Sequence, residues 1–352
     1  MKSTKVSSND RAIVLRADRT VFARMLVMAQ SRTMDMRKVL EFDLCPLPLA
    51  LALPDGSLAK TDKAKLLSLL EAGVPSADCV PQNAARVVDA MALLQALQNI
   101  PSTFSQLAEL VFSITTSSFQ YGIERVDFVV DQYKDISIKG CEQQRRGQTG
   151  VLRVQVLRGS QPCPVQWKKF LQNGNNKMEL THFLANEWRG SSYASWLLRR
   201  ELYVTTSAQC LCLSSRDGLT VSSEEVPQLF STQEEADTRL ILHAAHAAVS
   251  HPAVVIQSPD TDVAVLCCFF QDKIAAPLFF RTGNRQRTRF IDIQAVCFSL
   301  SLPVCKALLG FHALTGCDST SAFVGREKAL AVELIRTSPS AHSTMEKLGE
   351  FF

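Results

Sequence analysis

Three short β-rich segments of the chain each run into aspartate, and helical patterns separate them. These are Arg86-Val87-Val88 before Asp89, residues 126–130 before Asp131, and Val254-Val255-Ile256 before Asp260 and Asp262. Such alternation favours a mainly parallel sheet flanked by helices, and sites in these sheets assemble at the carboxyl ends of the strands. We therefore expect an α/β fold that gathers four carboxylates at one edge of its sheet.

Four carboxylates at one sheet edge would repel one another unless a cation offset their charge. Mg²⁺ prefers carboxylate and water oxygens, and two divalent ions about 4 Å apart can activate water and stabilise the leaving oxygen of a phosphodiester. The residue types therefore suit metal-assisted phosphoryl chemistry.

Each acidic residue also has a simpler structural interpretation. Asp89 is placed to cap the helix that follows it, and Asp131 and Asp260 stand where turns are common. Ser231 and Thr232 before Glu234 and Glu235 have the spacing of a helix capping box, in which Glu235 and Asp237 favour the helix start. Asp318 follows Gly316 at a helix end. The order of all the acids together carries the functional hypothesis.

That order resembles the flap-endonuclease/XPG-type nucleases of the PIN-like superfamily, including divergent asteroid-like or mobile-element-associated members. The matching segments are RVVDAMALLQ with Asp89, VDFVVDQYKDISIKGCEQQRRG with Asp131, Glu235-Ala236-Asp237, Asp260-Thr261-Asp262 and Leu314-Thr315-Gly316-Cys317-Asp318. The resemblance runs from about residue 85 to 330. It implies a PIN-like three-layer fold and a metal-dependent phosphodiesterase that binds two Mg²⁺ or Mn²⁺ ions.

The resemblance also implies a role for each site residue. The first metal would be held by Asp89, Asp131, Glu235 and Asp237, and the second by Asp260, Asp262 and Asp318. Lys139, Arg145 and Arg146 would contact the scissile phosphate as catalytic residues, and Gly316, Gly325, Arg326 and Lys328 would contact nucleic acid. Two departures from the family are an aspartate at position 237 in place of glutamate and the loss of most of the glycine-rich hairpin after Asp318.

The resemblance suggests a division of the chain into an N-terminal extension, residues 1–84, and a nuclease domain, residues 85–352. The segment of about 147–230 would correspond to the family's arch-like insertion. Because the sequence stops at Phe352 within a helical pattern, it leaves open that the chain is a fragment.

Composition narrows the remaining classes. The chain has 352 residues, a formal net charge of +4 and eleven cysteines without a CxxC pair, and we expect free thiols in a reducing compartment. His243 and His246 could form half of a metal site. We find neither a membrane-length apolar run nor a secretory signal, so we expect an intracellular protein, nuclear or cytoplasmic. Phosphate-loop, dinucleotide-binding and nucleophile-elbow motifs are absent.

The expected function is cleavage of structured or single-stranded DNA or RNA by a two-metal mechanism. The main alternative is a catalytically inactive module that kept the fold and binds nucleic acid or acts as a scaffold. A third hypothesis is an unrelated α/β protein in which the acidic residues are scattered.

Overall fold

The computed structural model describes residues 23–33, 35–39, 41, 48, 50–53, 56–77, 81–133, 153–283 and 288–348. The chain divides into two compact units, one containing residues 1–69 and 307–352 and the other containing residues 70–306. The described residues up to Leu69 thus share a unit with residues 307–348, and the division into 1–84 and 85–352 stays a prediction.

The second unit is built on one eight-stranded sheet with the order β5-β4-β3-β2-β1-β6-β7-β8. Its strands are β1 (Ala85–Asp89), β2 (Arg125–Val129), β3 (Glu201–Thr206), β4 (Gln209–Ser214), β5 (Ser222–Glu225), β6 (Val254–Gln257), β7 (Leu278–Thr282) and β8 (Arg289–Asp292). Strands β3, β2, β1, β6 and β7 are parallel, and β4, β5 and β8 pair antiparallel. The expected α/β class is confirmed, and the sheet is mixed.

The antiparallel strands follow from short connections, because a crossover between parallel strands needs about a dozen residues. After β3 the chain turns at Ser207, whose φ is +48°, and returns antiparallel as β4. Strands β7 and β8 form another antiparallel pair.

The helices are α1 (Met36–Val39), α2 (Lys63–Leu70), α3 (Ala90–Gln95), α4 (Phe104–Thr116), α5 (Trp167–Phe170), α6 (Gly174–Glu187), α7 (Ala236–Ala247), α8 (Thr261–Phe270), α9 (Ile293–Leu300), α10 (Leu302–Leu314), α11 (Lys328–Thr337) and α12 (Pro339–Glu346), and residues 23–31 are also helical. Helices of the second unit lie on both faces of its sheet. The Phe128 ring packs 5.3 Å from Trp188, at the end of α6, whereas the neighbouring Asp127 contacts His243 on α7. Because adjacent strand residues point to opposite faces, α6 and α7 cover opposite sides of β2.

The largest apolar core lies on the α4 and α6 side of the sheet. Two tryptophans connect helices on this side: Trp188 at the end of α6 donates its indole N–H to the Ala108 carbonyl of α4 at 3.0 Å, and Trp167 on α5 donates to the Leu94 carbonyl of α3 at 2.9 Å. Helix α4 begins with a capping box in which Thr103 and Gln106 satisfy each other's backbone N–H groups. The described part of the predicted arch-like insertion therefore supplies helices to this core, together with residues of strands β3 and β4.

The first unit joins segments from the two ends of the chain. The Ala322 backbone N–H donates to the Ala59 carbonyl at 2.9 Å, and Lys65 pairs with Glu327 at 3.1 Å. Gly316 has a φ of +96°, and a Cβ there would lie within about 3 Å of Ala322, so this turn requires glycine.

Among the described residues, no single helix is long and apolar enough to cross a membrane. One bent pair, Ile293–Leu300 with Leu302–Leu314, meets the test by length and composition only.

Candidate metal centre

The ends of neighbouring strands carry the predicted carboxylates. Asp89 ends β1 and caps α3, Asp131 lies two residues after β2, and Asp260 caps α8, with Asp262 in the first turn of that helix. Strand β1 pairs with β2 on one side and with β6 on the other, in parallel register. The topology therefore delivers these acids to the same edge of the sheet.

Three of the predicted ligands form a compact triad. One carboxylate oxygen from each of Asp237, Asp260 and Asp262 lies within 4.8 Å of the other two, and each residue is partly buried. Oxygens that bind one Mg²⁺ at about 2.1 Å lie at most about 4.2 Å apart, so small side-chain movements would bring all three to one ion. The donor set is therefore suited to a hard divalent cation.

Asp237 experiences most directly the repulsion among these groups. Its pKa is raised from 3.8 to about 8, first by burial and then by the negative charges of Asp260, Glu235, Asp131 and Asp89, in that order. Such a carboxyl group retains its proton near neutral pH unless a cation replaces that proton. This electrostatic coupling brings Asp89, Asp131 and Glu235 into one centre with the triad. We call the resulting set of six residues the acidic centre: Asp89, Asp131, Glu235, Asp237, Asp260 and Asp262.

Asp131 and Asp89 are held in place by hydrogen bonds. The Asp131 carboxylate accepts from the Tyr133 hydroxyl and from the Ala236 backbone N–H, both at 2.9 Å. The Asp89 carboxylate accepts from the Ala92 N–H and the Ser258 hydroxyl, both at 3.0 Å. Burial raises the pKa of Asp89, and the charges of Asp131 and Asp260 act in the same direction.

The contact between Asp131 and Ala236 corrects the predicted capping box. Helix α7 begins at Ala236, and its N-cap residue Glu235 makes no side-chain capping bond. Asp131, 105 positions earlier in the chain, accepts from that first helical N–H instead. The N-terminal ends of α7 and α8 therefore both lie at the acidic centre, where their positive dipole ends favour negative charge.

A buried ion network connects β2 with α7 on the α7 side of the sheet. Arg125 contacts both oxygens of Asp127 at 2.8 Å, and the His243 Nδ1 donates to Asp127 Oδ2 at 2.7 Å. His246 Nδ1 lies 2.9 Å from Arg125. The two histidines considered as half of a metal site thus join α7 to β2.

The other predicted site residues belong to the first unit or lie outside the described residues. Asp318 belongs to the first unit, where its exposed carboxylate lies 2.8 Å from Lys63 Nζ. In the same unit Gly325 has a φ of +76°, Arg326 is exposed, and Lys328 is 3% exposed and donates to Thr315 Oγ1 at 2.6 Å. Lys139, Arg145 and Arg146 lie outside the described residues. The assigned roles of all these residues stay predictions.

Several residues at the centre were missed in the sequence. Tyr133 and Ser258 each lie two positions from a predicted ligand, and that proximity was the only available signal. Arg239, 1% exposed, donates to the carbonyls of Val130 and Ser207 at 3.0 and 2.9 Å, and so joins α7 to the ends of β2 and β3. Its position in an apolar helix face gave no indication of these distant acceptors.

A comparison of the chain with protein-family models finds no match, and a comparison with curated proteins finds no match either.

Proposed function

We propose that the chain is a divalent-metal-dependent phosphodiesterase that cleaves DNA or RNA at the acidic centre, on a PIN-like fold. The observation that carries the proposal is the meeting of Asp237, Asp260 and Asp262, contributed by two helix N-termini, at distances suited to one cation. The order of acids along the chain supports a nuclease in particular.

The electrostatics of the centre support a cation over other partners. A buried carboxyl group is costly when charged, and the partly buried Asp237 is surrounded by four further acids. Helix dipoles offset part of that charge, typically by about 1 kcal/mol or less for each terminus. A divalent ion would offset far more, because two positive charges would lie in direct contact with the carboxylates.

The role of each residue would follow from its position in the acidic centre. Asp237, Asp260 and Asp262 would hold Mg²⁺ or Mn²⁺, and Asp89 and Asp131 would complete the ligand shell directly or through water. When bound, the ion would lower the pKa of a water molecule and offset the negative charge of a phosphodiester. The Tyr133 and Ser258 hydroxyls fix the orientations of Asp131 and Asp89.

The test is cleavage of labelled flap, hairpin, single-stranded and duplex substrates, as DNA and as RNA, with Mg²⁺ or Mn²⁺. We expect metal-dependent cleavage by the wild type and none above background for Asp260→Asn/Asp262→Asn. Glu224→Gln removes one exposed acid on edge strand β5 and should cleave normally.

The same experiment separates the catalytic proposal from the inactive module. A folded wild type that binds these nucleic acids without cleaving any of them, with either metal, would contradict the phosphodiesterase and favour a binding role.

A further inference from the structure

A second cluster of charge lies on the other face of the sheet, under α3 and α4. Val88, Gln257 and Arg281 are register partners on β1, β6 and β7, and Arg86 lies two residues before Val88 on the same face. The guanidinium groups of Arg86 and Arg281 both donate to the side-chain oxygen of Gln257, with Arg86 Nε at 3.1 Å. Three adjacent strands thus direct two positive charges at one amide oxygen.

This pair lacks a counterion within the part of the chain that the structure describes. The ion pairs there include no carboxylate within 4.0 Å of Arg86 or Arg281. Burial and, to a lesser extent, the like charge of Arg281 together lower the pKa of Arg86 to about 10. A neutral amide offsets little of two positive charges, so an anion would stabilise the arrangement strongly.

The arginines line a cleft of about 930 Å³, a volume typical of small-molecule sites. Its other walls include the apolar residues Leu93, Leu97 and Ile114, and the acidic-centre residue Asp89. The cleft therefore offers a cationic end, an apolar wall and a boundary shared with the acidic centre.

We propose that Arg86, Gln257 and Arg281 bind the phosphate of a nucleoside phosphate whose sugar and base lie against the apolar wall of this cleft. Guanidinium forks suit phosphate because they donate parallel hydrogen bonds to two of its oxygens. The ligand is either the terminal nucleotide of a strand or a free nucleotide. A strand as the source rests on the proposed nuclease function, whereas phosphate recognition by the arginines does not.

The experiment measures binding of adenosine 5′-monophosphate and of adenosine to the whole chain by calorimetry. It is done with EDTA, so that neither metal nor cleavage contributes. We expect the wild type to prefer the monophosphate by at least about tenfold, and Arg281→Gln to remove that preference. Arg189→Gln, which removes an exposed charge remote from the cleft, should change either affinity by less than about twofold.

Arg281→Lys provides a second variant, since it keeps the charge but loses the guanidinium fork. It should weaken monophosphate binding less than Arg281→Gln does. Equal affinity of the wild type for adenosine and its monophosphate would overturn the proposal. So would unchanged monophosphate binding in folded Arg281→Gln and Arg281→Lys.

A short oligothymidylate with or without a 5′-phosphate or a 3′-phosphate distinguishes the two sources. Tighter binding of one phosphorylated end than of the monophosphate supports a strand end, and equal affinities support a free nucleotide. A wild-type protein that shows metal-dependent cleavage but no preference for the phosphorylated ligand would overturn this site alone. Phosphate preference without cleavage on any substrate would overturn the nuclease and leave this site standing.

Discussion

Asp237→Asn should stabilise the metal-free protein and weaken its response to divalent cations. An aspartate whose pKa rises from 3.8 in the unfolded chain to about 8 in the folded protein reduces the free energy of unfolding by about 4 kcal/mol at pH 7. Asparagine keeps the shape and cannot carry the charge. Because the asparagine amide cannot make all the hydrogen bonds of the native carboxyl group, we expect the free energy of unfolding of Asp237→Asn to exceed that of the wild type by only about 1–3 kcal/mol.

The sign of this effect depends on pH. A raised carboxyl pKa leaves stability unaffected below about pH 4, reduces it as the pH rises, and has its full effect above about pH 8. The stability difference between Asp237→Asn and the wild type should therefore widen between about pH 5 and pH 8 in EDTA. Saturating Mg²⁺ should narrow or reverse it, because the cation stabilises only the intact triad.

Urea unfolding followed by circular dichroism measures both effects. Glu224→Gln serves as the control, because the exposed Glu224 on β5 should give no pH-dependent difference. The proposed repulsion at Asp237 would be refuted if Asp237→Asn were less stable than the wild type in EDTA at every pH.

Three further predictions concern the buried network and the metal. Asp127→Ala should lower the free energy of unfolding by about 3–5 kcal/mol, because buried Arg125 loses its counterion. Asp272→Ala, which removes one partner of the exposed pair with Lys306, should lower it by about 1 kcal/mol or less. Equal losses for the two variants in urea unfolding would contradict this prediction. Burial lowers the pKa of His243 from 6.5, so the free energy of unfolding of the wild type should fall as the pH drops below about 6.5. The fall should be less steep in His243→Gln. Parallel pH profiles of unfolding free energy for the two proteins would exclude a contribution from His243. Mn²⁺ at about 100 times its Kd should add about 3 kcal/mol to the free energy of unfolding of the wild type and little to that of Asp262→Asn. Thermal unfolding with and without Mn²⁺ measures this effect. An equal rise in unfolding temperature for both proteins would place the metal elsewhere.

The parts of the fold that sequence predicted were set by local pattern. Strands β1, β2 and β6 are short apolar segments bounded by turn residues, and their order along the chain was enough to predict a parallel arrangement with aspartates at the carboxyl ends. Asp89 also caps a helix, which confirms the simpler interpretation of that residue, whereas Asp260, interpreted from the sequence as a turn residue, caps α8.

The parts that sequence did not predict depend on contacts between distant residues. The start of α7 is fixed by Asp131, 105 positions earlier, while the nearby serine and threonine with capping-box spacing do not cap it. Likewise, Arg86 and Arg281 meet only because β1, β6 and β7 are neighbours in matching register. Strand order and register depend on the whole fold. The local sequence around Arg86, Arg281 or Asp131 therefore did not predict which distant residues each would contact.

The proposed cation site is tested most directly by crystals of the wild-type protein soaked in Mn²⁺, with anomalous diffraction locating the metal. We predict an anomalous peak within about 2.4 Å of carboxylate oxygens from Asp237, Asp260 and Asp262. Well-ordered crystals in which these three carboxylates lie more than about 10 Å apart, or in which they contact one another while Mn²⁺ binds only elsewhere, would contradict it.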